Sequence, residues 1–309
     1  MTPMKHYTFI DYATQGYLAL VAILLIVLHS GATPAWALLA GAHVVGIVLI
    51  HVLLQAHAAH PRNRVLDFLR HFYPVLLYAW LYRETGALNH LLGIGFLDPF
   101  FIRLEARLFG GQPSLAFMER LPYLPVSELA YASYFSYYVM IGGIGLALYL
   151  RDRRQFFHFV SVISFVFYVC YLLYIFIPVI GPRVFWESAE CPLPPDLTQV
   201  PPPTFPIAVT HGLFYQIMLL IYRLFEAPGA AFPSSHVAVA ITTVVFSFRY
   251  LRRIRWVHLV VMILLCLATI YCRYHYVVDV VAGALTAAIL VPLGNWLYRR
   301  FGETPAPAP

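Results

Sequence analysis

Two short stretches decide how the rest of the chain is interpreted: Ala231-Phe232-Pro233-Ser234-Ser235-His236 and Tyr271-Cys272-Arg273-Tyr274-His275-Tyr276-Val277-Val278-Asp279. Both are flanked by apolar runs, yet together they contain two histidines, an arginine and a carboxylate. An ionisable side chain next to a membrane-length apolar segment is costly and usually has a function. We therefore interpret the two stretches as parts of one site.

The composition is that of an integral membrane protein. Of the 309 residues, 61% are hydrophobic and 11% are charged, whereas about 25% of residues are charged in a soluble domain. The formal net charge is +6, but Lys5 is the only lysine among 20 basic residues, and the arginines are scattered between apolar segments. A nucleic-acid interface would place a basic run beside aromatic residues, so the pattern excludes nucleic acid as a partner.

Eight apolar stretches approach the length of about 20 residues that spans a bilayer. They lie at 14–32, 35–58, 66–83, 126–150, 156–180, 236–250, 256–272 and 276–298. The last two are nearly continuous, and we place the reversal at Arg273 because Arg273 and His275 would otherwise lie at mid-membrane. The sequence predicts an all-α fold, a polytopic membrane helical bundle of about eight transmembrane helices.

The basic residues orient this predicted bundle. If the N-terminus is cytoplasmic, 13 of the 20 lie on the inside: Lys5, Arg62, Arg64, Arg70, Arg151, Arg153, Arg154, Arg249, Arg252, Arg253, Arg255, Arg299 and Arg300. Basic residues favour the cytoplasmic side, so we place both termini there and Arg183, His236 and His275 on the opposite side. The expected location is a bacterial inner or plasma membrane, with the site on its periplasmic or lumenal face.

Two segments between the predicted spans are not simple transmembrane helices. Residues 84–125 combine glycine and proline with charged side chains, which predicts helices at the membrane interface. Residues 181–209 are proline-rich and predict an extended connector, and helical spacing over His211–Phe225 predicts a second interfacial helix. We divide the chain into a transmembrane helix pair at 1–64, a larger membrane domain at 65–300 and a disordered tail at 301–309.

The spacing of His275 and Asp279 suits them to act together. Residues four apart lie one helical turn apart, so the Asp279 carboxylate can fix the tautomer of the imidazole and leave its other nitrogen free to attack. His236 follows Pro233-Ser234-Ser235, a turn into a helix start, from which it can protonate a leaving oxygen. A packed polar pair between helices is the alternative interpretation of His275 and Asp279.

The same stretches offer groups that bind phosphate. Backbone N–H groups at Ser234 and Ser235, where a helix begins, favour an anion. Arg183 and Arg273 carry planar donor forks suited to phosphate oxygens, although Arg183 could instead pair with lipid headgroups. The cysteines and the histidines of the first two spans lack metal-ligand spacing, so the sequence predicts no metal and no other cofactor. The pattern indicates metal-free phosphoryl transfer.

At these residues the chain resembles the type 2 phosphatidic acid phosphatase superfamily. Its pattern has three blocks: Lys-x6-Arg-Pro, Pro-Ser-Gly-His and Ser-Arg-x5-His-x3-Asp. Here Pro233-Ser234-Ser235-His236 matches the second, His275-x3-Asp279 belongs to the third, and Gly181-Pro182-Arg183 is the remnant of the first. The resemblance implies a six-helix phosphatase-type core in which His275 forms a phosphohistidine, Asp279 orients it and His236 transfers the leaving-group proton.

Three positions depart from that pattern. Because Lys5 is the only lysine, the lysine of the first block is absent. Ser235 replaces the glycine of the second block, and Thr269 stands where the third has arginine. We expect Arg273 to substitute for that arginine if it lies in the turn before the helix, since residues two apart do not share a helical face.

Upstream segments resemble the inositol phosphorylceramide synthase-like branch of the superfamily. They are Asp98 with Leu108-Phe109-Gly110-x-x-Pro113, and the tyrosine-rich stretch from Glu128 to Tyr138. The branch implies transfer of a phosphorylated headgroup between lipids. Asp98, Tyr134 and Tyr138 are candidates for contacting the headgroup or the acceptor, with interfacial salt bridges and helix packing as the alternatives.

The sequence thus favours an integral-membrane, metal-independent lipid phosphoesterase. Its expected partners are a phospholipid substrate and an acceptor. We favour a phosphotransferase, in which the acceptor is a lipid hydroxyl; with water as acceptor, the enzyme would be a phosphatase of the phosphatidic acid or polyprenyl phosphate type. The alternative from another class is a non-catalytic lipid transporter or binding protein with the same polar residues. The sequence does not indicate an oligomeric state.

Overall fold

The computed structural model describes residues 7–29, 33, 35–187, 204–225 and 227–301. In chain order its helices are α1 (Phe9–Leu28), α2 (Trp36–Ala59), α3 (Arg64–Leu88), α4 (Asp98–Phe109), α5 (Pro113–Arg120), α6 (Leu124–Arg151), α7 (Arg153–Phe176), α8 (Ile207–Thr210), α9 (Leu213–Phe225), α10 (Ser235–Tyr250), α11 (Arg255–Tyr271) and α12 (Val277–Arg300). A 3₁₀ turn follows α7 at Phe185–Glu187. The only β-type pairing in the described residues is an isolated bridge between Val179 and Ala230.

Each of the eight predicted spans contains a helix, and the predicted all-α membrane bundle is confirmed. The helices are α1, α2, α3, α6, α7, α10, α11 and α12. Five of them, α1, α2, α6, α7 and α12, are long and apolar enough to cross a membrane. α10 and α11 have 16 and 17 residues, about 25 Å at 1.5 Å per residue. That α3, α10 and α11 also cross stays a prediction.

The reversal predicted at Arg273 is also confirmed. α11 ends at Tyr271 and α12 begins at Val277. Between them Arg273 has a left-handed φ of 61°, which costs a residue with a Cβ atom about 1 kcal/mol. Such a residue commonly ends a helix, so the long apolar run is two helices joined by a turn at residues 272–276.

α7 is the central helix of the bundle. It contacts α1, α3, α6, α10 and α12, and 72% of its most apolar window is buried. Because its aromatic and β-branched residues are distributed on all sides, α7 is suited to the interior of a bundle. α10 and α12 pack on α7 and on each other, which holds side by side the helices that follow the two polar stretches.

Buried polar contacts join α1 and α2 to α3. Asp11 of α1 accepts hydrogen bonds from the Arg70 guanidinium at 2.7 and 3.0 Å and from the Tyr73 hydroxyl at 2.7 Å. In α2, His43 Nε2 lies 3.0 Å from each carboxylate oxygen of Glu84. Loss of one partner from such a buried pair costs about 3 kcal/mol or more. These contacts fix the N-terminal helix pair against the following helix, while the division at residue 64 stays a prediction.

Short helices occupy the segments predicted to lie at the interface. α4 and α5 lie within 84–125, and α9 begins at Leu213, slightly later than predicted, because His211 ends the single turn of α8. In the proline-rich connector, residues 188–203 lie outside the described residues, as do residues 302–309 of the predicted tail.

Candidate active site

The end of α11 fixes the turn that carries His275. The backbone N–H groups of Tyr274 and His275 both donate to the Thr269 carbonyl, at 3.0 and 3.1 Å. These bonds pair a carbonyl that the end of a helix leaves without its usual partner. Since α12 begins at Val277, the imidazole of His275 is held at the N-terminal end of that helix.

The Pro-Ser-Ser-His turn is tied to α7 and α12. The Tyr174 hydroxyl donates to the Pro233 carbonyl and accepts from the Ser235 N–H, both at 3.2 Å. Ser234 caps α10, because its Oγ accepts from the backbone N–H three residues later at 3.3 Å. The Ser234 N–H donates to the Asp279 carbonyl at 3.1 Å. The Ser234 side chain thus acts as a helix cap, and its phosphate-binding role stays a prediction.

Two glycines permit the close approach of the chain segments at the site. A Cβ atom at Gly283 in α12 would lie 2.5 Å from the Ser234 carbonyl oxygen. At Gly181, whose φ is 97°, a Cβ atom would lie 2.7 Å from the Tyr274 carbonyl oxygen. Any larger residue would push these segments apart, so the two glycines let the loop of Arg183 and both histidine stretches meet.

The two histidines lie side by side, as the sequence predicts. The ring centroids of His236 and His275 are 5.6 Å apart. Asp279 lies in the first turn of α12, with its Oδ2 3.5 Å from His275 Nδ1, a separation beyond a normal hydrogen bond. The same Oδ2 accepts the Tyr276 N–H at 2.9 Å. Asp279 therefore holds the turn and places a carboxyl group beside the His275 ring.

His275 is a neutral base at physiological pH. Burial lowers its pKa to about 4, and a backbone hydrogen bond with Ala231 opposes that shift. A neutral imidazole keeps one nitrogen lone pair, which a nucleophile needs. Among the described residues, neither His275 Nδ1 nor His236 Nδ1 has a hydrogen-bond partner. The His275 Nδ1 is the nitrogen that lies 3.5 Å from Asp279 Oδ2, and both histidines line a cavity.

Arg183 lines the same cavity as both histidines, which agrees with its predicted position at the site. The cavity has a volume of about 430 Å³, counted with its open mouth. The Arg183 guanidinium lies over the rings of Tyr222 and Tyr274, 4.4 and 5.2 Å from their centroids. These cation–π contacts position the guanidinium. A fixed cation beside two imidazoles suits a phosphate group.

Arg273 is placed differently from its predicted role. It lies in the turn before α12, as required, but its guanidinium donates to the Thr204 carbonyl at 3.1 Å and contacts Glu119 Oε1 at 3.5 Å. It also lies over the ring of Phe205, 5.0 Å from the centroid. Arg273 is not among the described residues that line the cavity of His275. The left-handed turn that brings His275 into the cavity directs Arg273 away from it.

Asp98 connects two parts of the site. Its carboxylate accepts the N–H groups of Ile180 and Gly181 at 2.8 and 2.9 Å and the Tyr276 hydroxyl at 3.0 Å. Asp98 is fully buried, and burial raises its pKa although these three hydrogen bonds oppose the shift. These hydrogen bonds are all within the protein, and contact of Asp98 with a headgroup or acceptor stays a prediction. Asp98 thus connects the loop that leads to Arg183 with Tyr276, the residue next to His275.

Glu105 of α4 is a site residue that the sequence analysis missed. Its Oε1 accepts the N–H groups of Val277 and Val278 at the start of α12. Burial raises the pKa of Glu105 to about 7; the two backbone hydrogen bonds oppose the shift and the charge of Asp279 reinforces it. A carboxylate at a helix start is favourable, and this one fixes α12 directly after His275.

Tyr134 and Tyr138, both predicted candidates, lie on the α9 side of the site. The Tyr134 hydroxyl lies 3.0 Å from His236 Nε2 and 2.8 Å from the Tyr222 hydroxyl. Tyr138 is 41% exposed and lines a second, mainly apolar cavity between α3, α6, α7 and α9. That cavity has a volume of about 1410 Å³, counted with its opening to the outside. Tyr82, Tyr222 and His236 line both cavities, so the polar and apolar spaces meet at His236.

The contacts of Tyr222, Tyr174 and Glu105 had no counterpart in the sequence patterns. Each acts on a residue far along the chain, and no motif or spacing relates the two. The apolar spacing of α9 did predict a helix there, but it did not indicate which side chain would reach the site. Among the described residues, no group of three or more His, Cys, Asp and Glu side chains is arranged to hold a metal ion.

Comparison with known proteins identifies the family. No curated protein and no solved structure gives a significant match to the chain. The family model of the PAP2 superfamily matches residues 100–293. This region contains Arg183, His236, His275 and Asp279 and most of the helices that position them. The chain therefore belongs to the PAP2 superfamily, that is, the type 2 phosphatidic acid phosphatase superfamily.

Proposed function

We propose that this protein is an integral-membrane lipid phosphoesterase that acts through a phosphohistidine on His275. The observation that carries the proposal is the 5.6 Å separation of the His236 and His275 rings in a cavity that Arg183 also lines. Membership of the PAP2 superfamily supports lipid phosphatase-type chemistry. We further propose that the site faces the outer side of the membrane and that both termini are cytoplasmic.

In the first half of the reaction, a neutral His275 nitrogen attacks phosphorus and forms a P–N bond. The P–O bond to the lipid alcohol breaks, and His236 transfers to the leaving oxygen a proton that it takes up when the anionic phosphate binds beside it. Arg183 stabilises the charge on the phosphate oxygens, and Asp279 stabilises the positive charge that develops on the His275 ring. Tyr134, which is hydrogen-bonded to His236, holds the acid in place.

In the second half, an acceptor takes the phosphoryl group from His275 while His236 removes the acceptor's proton. We favour a lipid hydroxyl as that acceptor, and so transfer of a phosphorylated headgroup between lipids. The support is the apolar cavity, which meets the polar cavity at His236, the residue that must contact the acceptor. The aromatic and aliphatic side chains that line this cavity suit acyl chains. Tyr138 is one of these lining residues.

The second candidate is a lipid phosphate phosphatase, in which water is the acceptor. The polar cavity favours it, because this space touches both histidines and is open at its mouth. Both candidates share the phosphohistidine, whereas a lipid transporter would form no covalent intermediate. The chemistry of the first half-reaction therefore separates the enzyme from the transporter, and the acceptor separates the two enzymes.

The test uses purified full-length protein with ³²P-labelled phosphatidylinositol or phosphatidic acid, with and without ceramide. Rapid denaturation should trap acid-labile, base-stable label on the wild type and none on His275→Ala. A transferase moves label into a new lipid when ceramide is present, whereas a phosphatase releases it to the aqueous phase. Full turnover by His275→Ala would overturn the proposed mechanism.

A further inference from the structure

A second polar cavity lies at the opposite end of the bundle from His275. It is formed by the beginning of α7 and the ends of α10 and α12, and has a volume of about 500 Å³, counted with its opening to the outside. At its other end, α7 leads to the loop of Arg183, α10 carries His236 and α12 carries Asp279. A helix of the length of α10 spans about 24 Å, so the second cavity is a separate space near the other membrane face.

The described residues that line this cavity carry positive charge and no carboxylate. Three are arginines, one from each helix: Arg154, Arg249 and Arg299. The nearby carboxylates have other partners. Asp152 accepts the backbone N–H of Arg154 at 2.8 Å as the cap of α7, and Asp67 lies 3.3 Å from the Arg153 guanidinium. The described lining of the cavity therefore includes three exposed arginines and no acidic side chain.

A hydrogen-bonded framework fixes the wall between the arginines. His158 Nδ1 lies 2.7 Å from the Tyr250 hydroxyl, and His158 Nε2 lies 2.8 Å from Asn295 Oδ1. Arg249 donates to the same Asn295 oxygen at 3.1 Å. The His158 ring stacks on Tyr298 with centroids 4.3 Å apart. This framework links α7, α10 and α12 and holds Arg249 in place before any ligand arrives.

The depth of the cavity in the membrane follows from its apolar neighbours. Trp296 on α12 and Phe301, the residue that follows α12, are 53% and 45% exposed. Exposed aromatic side chains of this kind lie at the level of lipid headgroups. Basic pockets between helices at that level recognise phosphorylated headgroups. An ion in this cavity would be in reach of the headgroup layer and of the surrounding water.

We propose that this cavity is a second anion site, distinct from the active site, that binds a phosphate group. Its planar guanidinium forks match the tetrahedral oxygens of phosphate in paired hydrogen bonds. The phosphate comes from an anionic lipid of the leaflet opposite the active site or from a soluble phosphate. Because the framework joins three helices that lead to the active site, occupation of the cavity stiffens these helices at their far ends.

The test measures lipid retention by full-length protein in phosphatidylcholine nanodiscs that contain phosphatidylglycerol. His275→Ala serves as the background, so that no lipid is consumed and any binding at the active site cancels. The triple variant Arg154→Gln, Arg249→Gln, Arg299→Gln should bind phosphatidylglycerol about a hundredfold more weakly, from a loss of about fivefold per arginine. Native mass spectrometry counts the lipids retained.

The matched control replaces three exposed arginines at the same end of the bundle that do not line the cavity. They are Arg252, Arg253 and Arg300. This variant should retain phosphatidylglycerol like its background. If the cavity triple variant does not fold, as judged by its unfolding temperature, Arg299→Gln alone should show the fivefold loss. Equal retention by cavity and control variants would overturn the proposal.

The source of the phosphate is separated by a competition with inorganic phosphate. If millimolar phosphate displaces phosphatidylglycerol from the control variant but not from the cavity variant, the site is open to soluble phosphates. Retention of the lipid in the presence of phosphate identifies a headgroup site. Either result supports the second anion site, whereas displacement that is identical in both variants places the competing phosphate elsewhere and contradicts it.

Discussion

Among the described residues, two histidines are each buried beside a buried carboxylate, and the surroundings of these two pairs differ. His43 of α2 lies 3.0 Å from both oxygens of Glu84 and packs against Trp80, with ring centroids 5.3 Å apart. His275 lies 3.5 Å from one oxygen of Asp279. In both histidines Nδ1 has no hydrogen-bond partner among the described residues. An unpaired ring nitrogen therefore does not distinguish a structural histidine from a catalytic one.

The cavity makes the distinction. His275 lines an open cavity together with Arg183 and His236, whereas His43 lines none of the three cavities described above. The His43 pair closes the gap between α2 and α3, and its carboxylate is satisfied by the imidazole. The His275 pair leaves a neutral base facing space that an anionic group can occupy. The same chemical pair thus joins two helices in one place and lines a cavity in the other, where we propose that it supplies the nucleophile.

Replacing each histidine by alanine tests this comparison most strongly. His275→Ala should lower kcat by about a thousandfold or more with little change in the unfolding temperature. His43→Ala should leave Glu84 without its partner, cost about 3 kcal/mol of stability and lower the unfolding temperature by several degrees. The kcat per folded molecule should stay within about twofold of wild type, because His43 does not touch the reacting groups.

The measurements are initial rates on folded protein and thermal unfolding of the same samples. Glu84→Gln is the matched control for the structural pair, since it removes the charge and keeps the shape. Glu84→Gln should lower the unfolding temperature less than His43→Ala does. An inactive but stable His43→Ala variant would reverse the assignment of the two pairs.

Two arginines extend the comparison to the phosphate site. Arg183→Gln should lower kcat/KM by about a hundredfold, the loss expected for a donor that stabilises charge in the transition state. Arg273→Gln should change kcat/KM by less than about threefold, because its guanidinium contacts Thr204 and Glu119 instead of the cavity. The measurement is the steady-state kcat/KM of each variant relative to wild type. A larger loss for Arg273→Gln would restore the ligand role that the sequence assigned to it.

The helices and the proximity of the two polar stretches could be predicted from the sequence. Apolar runs of membrane-spanning length, and the ionisable residues beside them, can both be recognised in the sequence itself. The reversal at Arg273 followed from the cost of burying charge. The direction of the Arg273 side chain could not be predicted, because it depends on a left-handed φ of 61° within the turn. Spacing along the chain cannot show which side of such a turn a residue faces.

The carboxylates of α4 show another limit of prediction. Asp98 and Glu105 bind the turn and the start of α12, and more than half the chain length separates them from their partners there. No local pattern marks such contacts, because each depends on how α4 docks against α12. The resemblance makes Asp98 a candidate for contacting the headgroup or the acceptor, with an interfacial salt bridge as the alternative, and no pattern in the sequence indicates Glu105. Both are positioning residues in the structure.

The pH dependence of kcat/KM tests the state of His275. With a phosphodiester lipid, whose phosphate does not titrate near neutrality, kcat/KM reports the pKa values of the free enzyme. Because burial lowers the pKa of His275 to about 4, activity from this group should hold down to about pH 5 and be halved near that pKa. Initial rates after brief exposure to each pH measure it. A decline centred on the ordinary value of 6.5 would show that the imidazole is not desolvated.

The smallest expected effect concerns Glu105, whose partners are backbone N–H groups instead of an imidazole. Burial raises its pKa from 4.5 to about 7, so between these values the folded state holds a proton that the unfolded state has released. The contribution of Glu105 to stability therefore falls as pH rises through this window. Glu105→Gln keeps an oxygen for Val277 and Val278 but cannot ionise. The wild type should lose a few degrees of unfolding temperature between pH 5 and pH 8 relative to this variant, and parallel curves would show that the carboxylate is already ionised throughout.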